Sequence, residues 1–423
     1  MDKFIIKGGR TLEGTVRVSG AKNASLALMP ATILAPGSYT LFNTPALRDV
    51  TTMRSLLESI GFSIAREEHT MKLDSSRVTS FEAPYEHVKK MRASVYVLGP
   101  LLARYGQARV SLPGGCAWGP RPVNLHIEGM RKLGAEVDLE AGYIVAKAKR
   151  LKGARILFDV SSVGATGNIL MAAALAKGET IIENAAMEPE IQSLAELLVA
   201  MGAAIRGIGT STLEIQGVDE LHPADATTIP DRIEAGTFLV AAAMAGKKGG
   251  TVRVEQCNPR HIGAITSKLE DAGAVLTFGE NFVELKPPET IQPVNVTTAI
   301  YSGFPTDMQA QWIALMSLAH GTSLVTDTVY FDRFTHVPEL TRLGASITVK
   351  RNTATVIGRN QIVGAKVMST DLRASASLIL AGLAARGETE VLRVYHIDRG
   401  YEHIEQKLQG LGADIKRVSG EEF

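Results

Sequence analysis

The sequence predicts an α/β protein of two lobes, each built from three βαβαββ modules, and three observations carry that expectation. The first is a phrase repeated six times at intervals of about 70 residues: an amphipathic stretch, a glycine usually followed by alanine, then an apolar alternation. Its glycines are Gly61, Gly134, Gly202, Gly273, Gly344 and Gly412. The second is an Ala/Leu-rich stretch lying between those phrases, which ends at a glycine and passes into a β-branched run. It ends at Gly37, Gly106, Gly178, Gly321 and Gly387, with a looser copy over 245–250. The third is length: 423 residues exceed what one compact core usually holds and are ample for two.

Each element follows from its composition. The first phrase reads as a helix stopped by a left-handed glycine and followed at once by a strand, as in Leu133-Gly134-Ala135 leading into Glu136-Val137-Asp138-Leu139. The Ala/Leu-rich helices are apolar nearly all round, which predicts that they are buried. Helices with a charged face, such as Glu128 to Lys132, are expected outside. An open solenoid is the weaker alternative, because solenoid repeats are shorter and carry less strand. The stretch Thr228-Ile229-Pro230-Asp231 falls at the midpoint and opens the fourth module. A cleft between lobes is a usual place for a substrate.

Composition removes several functions. Lys and Arg total 45 against 44 Asp and Glu, a formal charge of +1, so no basic surplus exists to coat nucleic acid or an anionic membrane. The apolar runs Phe238 to Gly246 and Leu378 to Ala385 are too short to span a bilayer, and the opening Met1-Asp2-Lys3-Phe4 does not read as a signal peptide. A soluble, cytoplasmic protein is expected, without nucleic-acid, membrane or obligate protein partners. Cys116 and Cys257 cannot build a disulfide framework or a thiolate zinc site on their own, and the nine histidines show no metal spacing, so neither metal nor cofactor is expected. Gly246-Lys247-Lys248 fails the P-loop pattern, and Gly207-Ile208-Gly209 lacks the third glycine of a dinucleotide turn.

Chemistry-bearing residues collect where the buried helices begin: Lys22-Asn23, Arg92, Ser162-Val163-Gly164, Asp231 to Glu234, Thr306-Asp307 and Arg373 to Ser375. Ser, Thr and Asp there are ordinary caps. Capping leaves Lys22, Arg92 and Arg373 unexplained, because a cation at a helix N-terminus is unfavourable without an anion nearby, and helix N-termini are themselves ready phosphate sites. The stretch Leu112 to Pro122 holds three Gly and three Pro and reads as a loop able to act as a lid. Cys116 within it is a candidate proton donor or nucleophile, with packing as the competing explanation; Cys257 has packing alone in its favour. A second charged and aromatic loop, Tyr395 to Glu402, offers Arg399 for bidentate anion binding, against a plain surface ion-pair cluster.

Taken together, Ser19-Gly20-Ala21-Lys22-Asn23-Ala24, Pro113-Gly114-Gly115-Cys116 with Arg121, Phe304 to Gln309, Thr370 to Ala374 and Tyr395 to Glu402 closely resemble the UDP-N-acetylglucosamine 1-carboxyvinyltransferase family, and the likeness runs along the whole chain. The resemblance implies a two-lobe inside-out α/β barrel, with one lobe made of residues 1–21 and 230–423 and the other, carrying the Cys116 loop, of residues 22–229. It implies transfer of the enolpyruvyl group from phosphoenolpyruvate to the 3-hydroxyl of UDP-N-acetylglucosamine with release of phosphate, the first committed step of peptidoglycan synthesis. It assigns Cys116 as the acid that protonates the vinyl methylene and Asp307 as the base at the hydroxyl. Lys22, Asn23, Cys116, Arg121, Asp371 and Arg399 would hold phosphoenolpyruvate. Asn23, Arg92, Arg121, Pro122, Val123, Asn124, Leu125, Ser162, Val163, Gly164, Asp307, Val329 and Arg373 would hold the nucleotide sugar. A thiol at position 116 also implies covalent inhibition by fosfomycin.

Two positions depart from the family pattern. Asn124 stands where Asp is usual, keeping hydrogen-bonding capacity without charge, and Trp118 stands where a smaller residue is common. The same architecture serves 3-phosphoshikimate 1-carboxyvinyltransferase, which does not rely on a loop cysteine. A non-catalytic nucleotide-sugar sensor would have no use for Lys22, Cys116, Asp307 and Arg399 together.

Overall fold

The computed structural model describes residues 2–89, 91–112 and 123–419. The chain divides into two compact units, one of Met1–Ser19 with Pro230–Phe423 and one of Gly20–Ile229. Each has its own hydrophobic core.

Among the described residues each unit holds three separate four-stranded sheets, with no ladder joining one to the next. One module shows the pattern. Glu82–Ala83 pairs parallel with Gln107–Ser111, which pairs antiparallel with Tyr143–Lys147, which pairs antiparallel with Glu136–Glu140. The sheet order is therefore first, second, fourth and third strand of a βαβαββ unit. Strand faces alternate between buried and exposed residues, as in Thr353–Ile357, so each sheet turns one side to the core and one to water.

The helices against those inner faces are buried along most of their length. In the first unit Arg232–Ala245, Gln309–Met316 and Leu372–Ala384 pack on one another; in the second, Leu98–Tyr105 packs on Val163–Ala173. Their sequences are apolar all round, and helices enclosed by sheets give the inside-out arrangement. The glycines that stop the second helix of each module take positive φ in all six copies, from +86° at Gly134 to +114° at Gly61.

Two modules exchange strands. Gly14–Arg17 lies just before the Lys22 helix yet pairs with Val252–Glu255 of the fourth module, while Ala226–Thr227 lies before the Arg232 helix yet pairs with Ser38–Phe42 of the first. The sixth module takes its closing strand from the N-terminus, because Asp2–Lys7 lies between Glu388–Leu392 and Asp414–Ser419. The residue after each closing strand makes the same contact: the N–H groups of Gly8, Ser75, Ala148, Gly217 and Gly358 donate to the carbonyls of Gly387, Gly37, Gly106, Gly178 and Gly321. The fourth module has Pro287 there, which has no N–H to give, and this is the module whose phrase is looser in sequence.

Three expectations are corrected. The helix start at Arg92 is a six-residue 3-10 turn, Arg92–Val97, and the α-helix begins only at Leu98. Pro100, with no N–H to give, is best tolerated in the first turn of a helix. The Tyr395 to Glu402 segment is not simply a loop, since Val394–Arg399 is a 3-10 helix. The helix Pro189–Ala200 is not a charged outer helix; Ile191, Leu194, Ala195, Leu197 and Leu198 are buried and it packs on the Lys22 helix.

Candidate active site

In the first unit the candidate residues gather around one carboxylate. Asp307 sits in the 3-10 turn Thr306–Met308 that leads into the Gln309 helix. Its Oδ2 accepts from Arg373 Nη2 at 2.6 Å and its Oδ1 from Arg333 Nη1 at 2.7 Å. Burial pushes the Asp307 pKa up, but the charges and hydrogen bonds of Arg373 and Arg333 overcome it and hold the carboxyl well below the usual range. For Arg373, burial favours loss of the charge, and Asp307 foremost reverses that and keeps the guanidinium charged.

The surroundings hold the pair in place. Arg333 Nη1 also donates to Thr306 Oγ1 at 3.2 Å, and Thr306 Oγ1 donates to Asp327 Oδ2 at 2.7 Å. Asp327 Oδ1 in turn accepts from the Val329 and Tyr330 amides, which fixes the backbone at Val329. On the other side Arg373 Nη1 donates to Tyr401 Oη at 3.3 Å, and Gln311 Nε2 reaches both Tyr401 Oη and the Asp307 carbonyl. Asp371 caps the Leu372 helix, its Oδ1 accepting from the Arg373 and Ala374 amides. Arg399 ends the Val394–Arg399 turn, half-buried.

A second network stands where the chain leaves and re-enters this unit. Lys407 Nζ donates to Glu234 Oε1 at 2.6 Å and to Ser19 Oγ at 2.7 Å, Ser19 Oγ donates to Glu402 Oε2, and the Ser19 amide donates to Glu234 Oε2. Burial raises the Glu234 pKa, with Lys407 opposing.

In the second unit Lys22 Nζ lies 3.4 Å from Asp49 Oδ2, and Asn23 is exposed. Ser162 caps the Val163–Ala173 helix, its Oγ accepting from the Ala165 amide at 3.3 Å. Arg92, Ser162, Val163 and Gly164 are half-buried; Val123 and Leu125 are half-buried and Asn124 is exposed at the start of Asn124–Lys132. Cys116, Trp118, Arg121 and Pro122 lie outside the described residues. Cys257 is buried, and burial pushes its thiol up to about 11.

Sequence reasoning missed Arg333 and Lys407 as site neighbours, and it placed Glu234 and Tyr401 in candidate segments without giving them partners. Neither Arg333 nor Lys407 lies in a spaced motif; Arg333 is marked only by the aromatic run Tyr330 to Phe334 around it. Among the described residues no group of three or more His, Cys, Asp or Glu is placed to hold a metal, and no helix is long and apolar enough to cross a membrane.

Two sets of three sheets around buried helices, with a carboxylate between two arginines at a helix start, define the class of carboxyvinyl transferases. The model of the EPSP synthase (3-phosphoshikimate 1-carboxyvinyltransferase) family matches residues 6–408. Among solved structures, the enolpyruvyl transferase NikO from Streptomyces tendae superposes with a TM-score of 0.89 at 27% identity, covering 99% of both chains. EPSP synthase from Acinetobacter baumannii shares the fold, with a TM-score of 0.77 at 19% identity over 99% of this chain and 100% of its own. The UDP-N-acetylglucosamine 1-carboxyvinyltransferase of Chloroherpeton thalassium is 59% identical over 426 residues, 100% of this chain and 99% of its own. Its namesake from Trichlorobacter lovleyi is 57% identical over 420 residues, 99% of this chain and 100% of its own. The chain belongs to the UDP-N-acetylglucosamine 1-carboxyvinyltransferase family.

Proposed function

We propose that this chain transfers the enolpyruvyl group of phosphoenolpyruvate to the 3-hydroxyl of UDP-N-acetylglucosamine and releases phosphate, in the cytoplasm, as the first committed step of peptidoglycan synthesis. The observation that carries the proposal is 59% identity, along the full length, to a relative of that name.

The chemistry is addition followed by elimination. The sugar hydroxyl oxygen bonds to C2 of phosphoenolpyruvate while Cys116 gives its thiol proton to the methylene and Asp307 takes the hydroxyl proton. The tetrahedral adduct then gives a methyl proton back to the Cys116 thiolate and loses its C–O bond to phosphate, which takes the proton held by Asp307, and the double bond re-forms on the sugar ether. Lys22, Arg121 and Arg399 stabilise the phosphate and carboxylate as charge moves, and Asn23 and Asp371 are assigned to the same substrate. The nucleotide sugar is held by Asn23, Arg92, residues 121–125, the helix start Ser162 to Gly164, Val329 and Arg373. The pairing of Asp307 sets a condition. Bound by both Arg373 and Arg333 it is ionised but a weak base, and a substrate carboxylate or phosphate that draws one arginine away restores its basicity.

Mass spectrometry of a reaction containing both substrates tests the proposal. The enolpyruvyl ether of UDP-N-acetylglucosamine is the expected product, and its absence with both substrates consumed or untouched would refute the assignment.

A further inference from the structure

Asn168 is fully buried on the Val163–Ala173 helix, and two backbone groups fix which way its amide points. The Gly99 N–H donates to Oδ1 at 2.6 Å, and Nδ2 donates to the Val95 carbonyl at 2.8 Å. Turning the amide over would set donor against donor and acceptor against acceptor. The second N–H of Nδ2 meets the ring Nδ1 of His126 at 3.0 Å. A donor locked in this way makes Nδ1 an acceptor, so the neutral ring carries its proton on Nε2. Burial holds the ring neutral, its pKa pushed down to about 4.

The Nε2 edge looks onto the start of the Val163 helix. His126 is 6% exposed, and a carbon added to Gly164 would stand 3.2 Å from both Cε1 and Nε2. Among the described residues this Nε2–H has no acceptor, and neither do the amides of Val163 and Gly164, whereas the next two amides bond to Ser162. A nine-tenths-buried donor beside a helix start with open amides is suited to an anion. Asn168 also ties together the segments proposed to hold the nucleotide sugar. It bonds to Val95, three residues after Arg92, and to His126, directly after Asn124-Leu125, and it rides on the helix that Ser162 caps.

We propose that His126 contacts the diphosphate of the nucleotide sugar through Nε2–H, beside the amides of Val163 and Gly164, and that Asn168 is the positioning residue that keeps the proton on that edge. This rests on the transferase function proposed above. Nitrogen NMR of wild-type protein carrying isotope-labelled histidine tests it without a variant. At neutral pH the His126 ring is expected as the Nε2–H tautomer, and its Nε2–H resonance should move on addition of UDP-N-acetylglucosamine. An Nδ1–H tautomer, or a resonance unmoved by the nucleotide sugar, overturns the proposal. In turnover assays His126→Ala should raise KM for UDP-N-acetylglucosamine by roughly 10- to 100-fold while kcat and KM for phosphoenolpyruvate stay within about threefold, the loss expected for a hydrogen bond to a charged group. His126→Gln, which keeps a side-chain donor, should recover part of that loss. A wild type that turns over while His126→Ala keeps its KM overturns only the His126 assignment; a wild type with no turnover overturns the transferase function itself.

Discussion

Asp307 and Arg373 face each other at 2.6 Å, and the guanidinium side chain is 5% exposed against 25% for its carboxylate partner. Removing the carboxylate leaves Arg373 and Arg333 as neighbouring cations in a largely dry place. Asp307→Ala is therefore expected to destabilise the protein by about 3 kcal/mol, the scale for breaking a buried pair, read from urea denaturation. Because the folded Asp307 pKa lies below its unfolded value, the pair's contribution is present above about pH 4 and is lost as pH falls through the lowered folded value. Asp307→Asn should remove that part of the acid sensitivity.

Two buried histidines act over a higher window. His126 and His336 are each pushed down to about 4, chiefly by burial, which at His336 Asp371 opposes and Arg333 reinforces. Between about pH 6.5 and 4 the unfolded rings take up protons that the folded ones refuse, so stability falls with acidification, on the order of 3 kcal/mol for each ring. His336→Gln should flatten the stability profile in this window. A profile unchanged from wild type would contradict the burial of His336.

The repeat makes a prediction about glycine. A carbon on Gly358 would fall 1.7 Å from the Ala319 carbonyl oxygen, and one on Gly8, after the N-terminal strand, 2.0 Å from that of Ala385. Alanine at either site should cost about 2–3 kcal/mol by overpacking against backbone. Gly134 has open space around it but φ of +86°, so Gly134→Ala should cost only about 1–2 kcal/mol. Equal losses at Gly358 and Gly134 would argue against the shared closing-strand contact.

Much of the fold was legible because one physical device recurs. A left-handed glycine ending an amphipathic helix leaves the same trace at Gly61 and at Gly412, and an all-apolar helix such as Gln309–Met316 announces its own burial. The strand exchange was not legible, since nothing local in Gly14–Arg17 says that its partner is Val252–Glu255 rather than the next module in sequence. At the site, Lys22, Asp307 and Arg373 stood out as charges at helix starts. Arg333 did not, because it reaches Asp307 through tertiary packing and belongs to no periodic pattern, and nothing in the Tyr395 to Glu402 segment says that Tyr401 meets Arg373. His126 was one of nine histidines without metal spacing; only the amide of Asn168, distant in sequence, gives it a direction.

Fosfomycin separates the two cysteines. Cys257 is 3% exposed with its thiol pushed up to about 11, so little thiolate exists there to react. Intact-mass analysis should find a single covalent adduct, absent in Cys116→Ser. The same substitution should lower turnover by orders of magnitude, because a hydroxyl is a far weaker acid than a thiol.

Acceptor-resolved phosphate release from phosphoenolpyruvate bears most directly on what the protein does. With UDP-N-acetylglucosamine as acceptor the wild type should release phosphate and Asp307→Asn should release almost none, while shikimate 3-phosphate should support no release. Release with shikimate 3-phosphate but not with UDP-N-acetylglucosamine would contradict the assignment.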